Sequence, residues 1–265
     1  MKAAVDNLES YDSQYFDHEC YSPIPEQDEN SWLSNYPERP QSFSRYKKRY
    51  SQIDTDKKIY LAFINDDDVD IDVDELVHFI EIWFDRKVIV EKLTLGDIAT
   101  RHNEEIGSQQ YLTTDIVDGI QPPADSFAYI ILTHHDLYSH RSNFVFGQAN
   151  MKKKVGVFST YHFDGRNYKR EFQASKFFQM VCHIAVHEIG HMIGIGHCVY
   201  YSCTMQGTNS LPELASQPLH LCPVDLNKLK YALRINVADR HRYLLQFYQK
   251  HNFQYEIKWA QQFVE

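Results

Sequence analysis

The sequence predicts an α/β (α+β) fold, because apolar runs of strand length alternate along the chain with helical apolar patterns. The run Ile59–Ile64 predicts a buried strand, and Ala128–Leu132 predicts a wholly apolar strand of the parallel type. Between them, one helical face is formed by Leu76, Val77, Ile80, Trp83 and Phe84. This face begins just after two aspartates, as helices often do, and we assign it to the core.

Further elements follow from shorter patterns. The first strand is predicted to end at the acidic run Asn65–Asp68, and a second strand is predicted at Val88–Val90. The other predicted elements are a helix over Gln109–Ile120, stopped by two prolines, and two short strands at Phe144–Phe146 and Val155–Phe158. We expect one of these last two strands to form a sheet edge.

Residues 1–57 are predicted to be an extension outside the main domain, because bulky aliphatic side chains are sparse there. Two interpretations stay open for this extension. It is a partly disordered tail, or it is a strap that Trp32, Leu33, Phe43 and several tyrosines pin along the folded body. Residues 58–265 are predicted to form one domain, because the chain contains no internal repeat and no long flexible linker.

Composition excludes several classes of function. The net charge of −9 argues against nucleic acid as a partner. The longest apolar run, Phe127–Leu132, is far too short to span a membrane, and Asp6 interrupts any secretion signal near the first residue. We therefore expect a monomeric cytoplasmic or nuclear protein that is not secreted. Its five cysteines are predicted to be free thiols plus a metal site rather than disulfides.

The segment 187–197, HEIGHMIGIGH, carries the most specific chemical signal. On a helix, His187 and His191 lie one turn apart on one face, so both imidazoles can reach one zinc ion, with Glu188 beside them. A ligand at i+8 lies about 12 Å along the axis, so the chain must turn to return His197 to the ion. Gly194 is predicted to supply that turn in a left-handed conformation, and Gly196 to add backbone freedom.

The same distance argument removes His183 from the ligand set, because it lies two turns before His191. We interpret His183 as a neutral core histidine or as a hydrogen-bond donor behind a ligand. Met205, a few residues beyond His197, has the position of the methionine turn found beneath the metal in metzincins.

The residues after His197 closely resemble the archaemetzincins, in which HExxHxxGxxH runs directly into C-x4-C-x-M, followed later by C-x-x-C. Segments 143–149, 155–158, 205–209 and 221–223 are similar to the same family, and Ser31–Gln41 is similar to the N-terminal extension of its animal members. This resemblance implies a compact metzincin-type domain whose twisted mixed sheet packs on a central active-site helix at about 173–194. It also implies a metal and methionine-turn region over 197–225 and a C-terminal helical subdomain over 226–253.

The resemblance further implies a catalytic zinc on His187, His191 and His197, with Glu188 as general base. It implies a second, structural zinc on Cys198, Cys203, Cys222 and the residue at position 225. That residue is Asp225 rather than the cysteine of the family pattern. Asp225 either completes a site of three cysteines and one aspartate, or it caps the following helix and the second site is lost or weakened. His220 is a less favoured fourth ligand.

The implied activity is zinc-dependent hydrolysis of peptide bonds, with small peptides as the expected substrates. We expect the peptide to pair with an edge strand at Asn143–Ala149. The first alternative is a non-catalytic zinc-binding interaction protein on a metzincin fold. The second is an inhibited protease whose extension occupies the cleft, with the Cys20 thiolate as a candidate blocking ligand.

Overall fold

A computed structural model describes residues 10–64 and 70–264. The predicted acidic end of the first strand, Asn65–Asp68, lies outside the described residues. The chain forms two compact units. We call one the sheet unit, which comprises the described residues of Asp56–Glu81 and Arg86–Ile193. The other, the terminal unit, comprises the described residues up to Thr55, Ile82–Asp85, and those from Gly194 onward.

The main sheet of the sheet unit has five strands in the order β2-β1-β5-β8-β7. These strands are β1 (Lys58–Ile64), β2 (Val88–Leu93), β5 (Ser126–Thr133), β7 (Gly147–Asn150) and β8 (Val155–Ser159). All pairs are parallel except β7 with β8, which is antiparallel and places β7 at the edge. β1, β5 and β8 are buried along almost their whole length, as expected for central strands covered on both faces. The mixed α/β fold is therefore confirmed.

A second sheet has three strands in the order β3-β4-β6. They are β3 (Thr100–Asn103), β4 (Ser108–Leu112) and β6 (Asp136–Tyr138). The helices that begin in this part of the chain are α3 (Val73–Phe84), α4 (Thr113–Gly119) and α5 (Ala174–Met192), with a 3₁₀ turn at Gly165–Tyr168. The predicted apolar face of α3 is buried at Leu76, Ile80, Trp83 and Phe84.

The prediction of a helix over Gln109–Ile120 is wrong in its first half, because β4 occupies that part of the chain and only α4 is helical. Burial alternates along β4, and the buried Gln110 amide donates to Asp136 Oδ2 at 2.9 Å. Because the polar Gln110 occupies a buried position of β4, the apolar periodicity of the sequence does not indicate a strand there.

The predicted strand Phe144–Phe146 is also wrong, because the edge strand begins at Gly147. The backbone before it is engaged by side chains: Arg101 and Gln110 both donate to the carbonyl of Asn143, at 2.7 and 2.8 Å. The Phe144 ring instead packs on His162, with ring centroids 4.0 Å apart. The predicted edge is present in the structure, but it covers Gly147–Asn150 rather than 143–149.

The terminal unit is mainly helical. Its helices are α1 (Trp32–Asn35), α2 (Phe43–Arg49), α6 (Leu211–Ser216), α7 (Pro223–Leu233), α8 (Val237–His251) and α9 (Gln254–Gln261), with 3₁₀ turns at Ser10–Phe16 and His18–Cys20. The described part of the N-terminal extension packs through aromatic rings. Tyr15 lies 4.6 Å from His241 between ring centroids, and Tyr46 is fully buried beside Tyr231. These contacts are those expected of a strap. Among the described residues, no helix is long and apolar enough to cross a membrane.

Candidate metal centres

Helix α5 carries the first candidate centre on its C-terminal turns. The helix is buried from Val181 to Gly190, so His183, His187 and Glu188 face other protein atoms, whereas His191 is partly exposed. The Nε2 atoms of His187 and His191 lie 3.0 Å apart, and their rings meet edge to face at 85°. Two nitrogens bound to one tetrahedral zinc lie about 3.3 Å apart, so this pair fits the ion.

His197 completes a group of three histidines whose ligand nitrogens all lie within 4.8 Å of one another. The chain reaches it through Gly194, which has φ +93° and so takes the left-handed conformation predicted for it. The further backbone freedom expected of Gly196 is not used, because among the described glycines only Gly107 and Gly194 have positive φ. His183 is buried and belongs to neither metal-holding group among the described residues.

Glu188 is a buried residue that directly follows His187 on α5. Its side chain is 5% exposed, and its Oε2 atom is buried with no hydrogen-bond partner among the described residues. Burial raises the pKa of Glu188 to about 8. A buried polar atom without a partner is costly unless a ligand satisfies it, and a divalent cation nearby favours the ionised form. The glutamate therefore fits a site that contains zinc.

Gly147 is a site residue that our sequence analysis missed. A Cβ atom at this position, the first of β7, would lie 2.5 Å from Oε1 and 3.1 Å from Cγ of Glu188. The edge strand therefore passes directly against the candidate base. The available sequence signal was a glycine within the predicted edge segment Asn143–Ala149, because a glycine in a strand often marks a close backbone approach.

We predict that Gly147→Ala lowers kcat/KM by about 10²-fold with little change in Tm, because a displacement of about 1 Å at a catalytic group has that effect. The added methyl group displaces only the flexible end of Glu188. Peptide hydrolysis and thermal unfolding measure the two effects. Gly119→Ala is the matched control, because a Cβ atom there meets nothing within 4 Å. Wild-type activity in Gly147→Ala would contradict the assignment.

The second candidate centre lies wholly in the terminal unit. Cys198, Cys203, Cys222 and Asp225 are all buried, and each offers a ligand atom within 4.8 Å of the others. The Sγ atoms of Cys198 and Cys222 are 3.6 Å apart. Asp225 Oδ2 lies 3.5 Å from Sγ of both Cys203 and Cys222. Ligands around a tetrahedral zinc have S–S separations of about 3.8 Å and S–O separations of about 3.5 Å.

The interpretation of Asp225 as a helix cap is wrong. Helix α7 begins at Pro223 with Cys222 as its N-cap, so Asp225 lies inside the first turn. His220 does not belong to the group either. Its Nδ1 lies 3.1 Å from Glu256 Oε2, and its ring stacks on Trp259 with centroids 3.8 Å apart. The structure therefore favours three cysteines and Asp225 over the other donor sets.

Lys228 is the second residue that our sequence analysis missed. Its Nζ lies 2.6 Å from Asp225 Oδ1, and both side chains are buried. Although burial opposes it, Asp225 raises the pKa of Lys228, which keeps the lysine charged. Burial raises the pKa of Asp225 to about 6. Three thiolates, a carboxylate and Zn²⁺ would leave an excess negative charge, which the ammonium group of Lys228 reduces.

The loop between the two centres is tied to its surroundings by backbone hydrogen bonds. The N–H of Cys198 donates to the carbonyl of Met205 at 2.7 Å, and Met205 is buried. The N–H of Cys203 donates to Gln206 Oε1 at 3.0 Å. Cys198 directly follows His197 in the chain. A metal bound to Cys198 would therefore restrain the backbone next to His197. Neither metal-holding group of the described chain includes Cys20.

The fold, the histidine pair with its adjacent buried glutamate, and the left-handed turn to a third histidine define a zinc metallopeptidase of the metzincin type. Residues 109–231 match the family model described as peptidase family M54. Archaemetzincin-2 of Mus musculus is 29% identical over 272 aligned positions, which cover 86% of this chain and 74% of that protein. The chain is therefore similar to peptidase family M54, the archaemetzincins.

Two solved structures are also similar to this chain. The archaemetzincin from Archaeoglobus fulgidus, determined in complex with malonate, superposes with a TM-score of 0.51 at 26% identity. The match covers 64% of this chain and 99% of that one. A zinc-dependent peptidase from Methanocorpusculum labreanum gives a TM-score of 0.50 at 21% identity, with coverage of 64% and 99%. At that identity the likeness shows the fold alone.

Proposed function

We propose that this protein is an archaemetzincin that hydrolyses peptide bonds of small peptides, with zinc on His187, His191 and His197 and with Glu188 as general base. The buried, unpartnered Oε2 of Glu188 beside the histidine pair is the observation that carries this proposal. When bound, zinc supplies Lewis acidity: it lowers the pKa of a coordinated water and polarises the substrate carbonyl.

The protein groups perform the proton transfers. Glu188, which follows His187 on the helix, would take a proton from the attacking water at Oε2 and return it to the leaving amine. Its buried surroundings exclude bulk water, so the carboxylate exchanges protons with the reacting groups rather than with solvent.

The substrate is proposed to pair with β7. This strand pairs with β8 on one side and is the last strand in the order of the main sheet. An extended peptide can add to such an edge through backbone hydrogen bonds. Because Gly147 lies against Glu188, a peptide aligned on β7 lies close to the base. This geometry supports a peptide substrate over a compact small molecule.

The second centre is proposed to be structural. Its four donors are buried, so no position around the metal is open to a substrate. Zinc there would fix the loop that contains Met205 and restrain the chain next to His197. We keep the division into an extension over 1–57 and a peptidase domain over 58–265 as a proposal.

His191→Ala is expected to lose one equivalent of zinc per chain and all measurable peptide hydrolysis, because a catalytic zinc site needs its three protein ligands. Elemental analysis and a quenched-peptide assay measure the two losses. His102→Gln is the control: it replaces an exposed histidine that belongs to neither metal-holding group of the described residues, and it is expected to keep the wild-type zinc content. An unchanged zinc content in His191→Ala would remove the histidine site from the proposal.

A further inference from the structure

Part of the N-terminal extension holds the turn that delivers His197. Three of its side chains, Trp32, Glu38 and Gln41, contact either this turn or His197 itself. The Gln41 amide nitrogen donates to the carbonyl of Gly194 at 3.0 Å, and its Oε1 accepts the N–H of Gly196 at 3.1 Å. One side chain thus pairs with two backbone groups between the end of α5 and His197, which fixes the path of the turn.

Glu38 contacts the histidine itself. Its Oε1 lies 2.7 Å from Nδ1 of His197, and the same oxygen accepts the indole N–H of Trp32 at 3.1 Å. The Trp32 ring meets the His197 ring edge-on with centroids 5.1 Å apart. Glu213 in turn accepts the backbone N–H of Trp32 at 2.9 Å. These contacts leave the carboxylate little freedom to move away from the imidazole.

A carboxylate on Nδ1 has a defined effect on a metal-binding imidazole. It stabilises the tautomer with the proton on Nδ1, so Nε2 is the nitrogen that coordinates. We propose that Glu38 is a positioning residue for the catalytic zinc: it fixes the tautomer and the ring orientation of His197. This inference rests on the proposed function, because it requires His197 to be a ligand.

The geometry separates this role from a simple contribution to stability. The side chains of Glu38 and His197 are 30% and 20% exposed, and ion pairs so close to solvent add little to folding. Loss of a carboxylate behind a ligating histidine, in contrast, weakens metal binding by about 10–100-fold. Zinc affinity and Tm should therefore respond differently to the same substitution.

The test uses the full chain with Glu38→Ala and Glu38→Gln. Zinc affinity of the histidine site is measured by competition with a chelator, and the site is identified as the equivalent that His191→Ala lacks. We expect about 10–100-fold weaker binding in Glu38→Ala. Glu38→Gln keeps an acceptor oxygen for Nδ1 and should recover part of the loss. In the zinc-free full chain, nitrogen NMR of the histidine rings should show the Nδ1-protonated tautomer of His197 in the wild type and a mixture of tautomers in Glu38→Ala.

Glu213→Ala is the matched control, because Glu213 tethers the same segment through Trp32 and no hydrogen bond joins it to His197 in the described structure. We expect it to change the zinc affinity less than twofold. An equal loss in Glu213→Ala, or unchanged affinity in Glu38→Ala, would overturn the role of Glu38. Faster hydrolysis in Glu38→Ala would also overturn it, since the extension would then act as an inhibitor.

His197→Ala separates this inference from the function on which it rests. If His197→Ala keeps wild-type zinc affinity, the proposed ligand set fails. If it loses affinity while Glu38→Ala does not, the ligand set stands and only the positioning role is wrong.

Discussion

Glu188→Gln is expected to lower kcat by about 10²–10⁴-fold while zinc content and folding stay unchanged. The amide has the size of the carboxylate, so it fits the same buried position next to Gly147. It cannot accept a proton, however, and its nitrogen is a donor where the reaction needs an acceptor. The binding of zinc by the histidines does not depend on this group, so the loss should appear in turnover alone.

Three measurements on one preparation check this expectation: the hydrolysis rate of a quenched peptide, zinc per chain by elemental analysis, and Tm. Glu81→Gln is the control. Glu81 accepts the N–H of Val88 at 3.0 Å, and a glutamine there retains the acceptor oxygen. Turnover at the wild-type rate in Glu188→Gln would assign general-base chemistry to another group. It would also favour a different mechanism over the one proposed.

Asp225→Ala is expected to reduce zinc from two equivalents per chain to about one and to lower the free energy of unfolding by several kcal/mol. Two losses combine at this position. The second centre loses one of its four donors, and Lys228 is left as a buried charge without its carboxylate. Breaking a buried ion pair by removing one partner costs about 3–5 kcal/mol on its own.

Two further variants separate these losses. Asp225→Cys restores four sulfur donors and should return the second zinc. The double variant Asp225→Ala/Lys228→Met removes both charges, so it should recover stability but not zinc. Asp239→Ala is the surface control, because Asp239 pairs with Arg242 in solvent and contributes little. One equivalent of zinc in both wild type and Asp225→Ala would exclude Asp225 as a ligand and leave only the histidine centre.

The sequence predicted best where the chemistry is local. His187, Glu188 and His191 share one helical turn, and Gly194 reverses the chain within a few residues, so spacing alone identifies them. The central strands were also predictable, because a strand buried on both faces is apolar throughout. In contrast, the polar strand β4 and the edge strand β7 lack a continuous apolar run, so β4 was predicted as helix and β7 with incorrect bounds.

The sequence by itself indicated the resemblance to the archaemetzincins, the helix–turn that presents the histidines, and the candidate donor residues of both metal centres. Their action as zinc ligands stays a prediction for the zinc measurements. Only the tertiary structure determined which distant residues contact these groups. Glu38, 159 positions before His197 in the chain, lies 2.7 Å from its ring, and Gly147 lies against Glu188. Such contacts arise when distant segments pack together, and neither periodicity nor motif spacing records them.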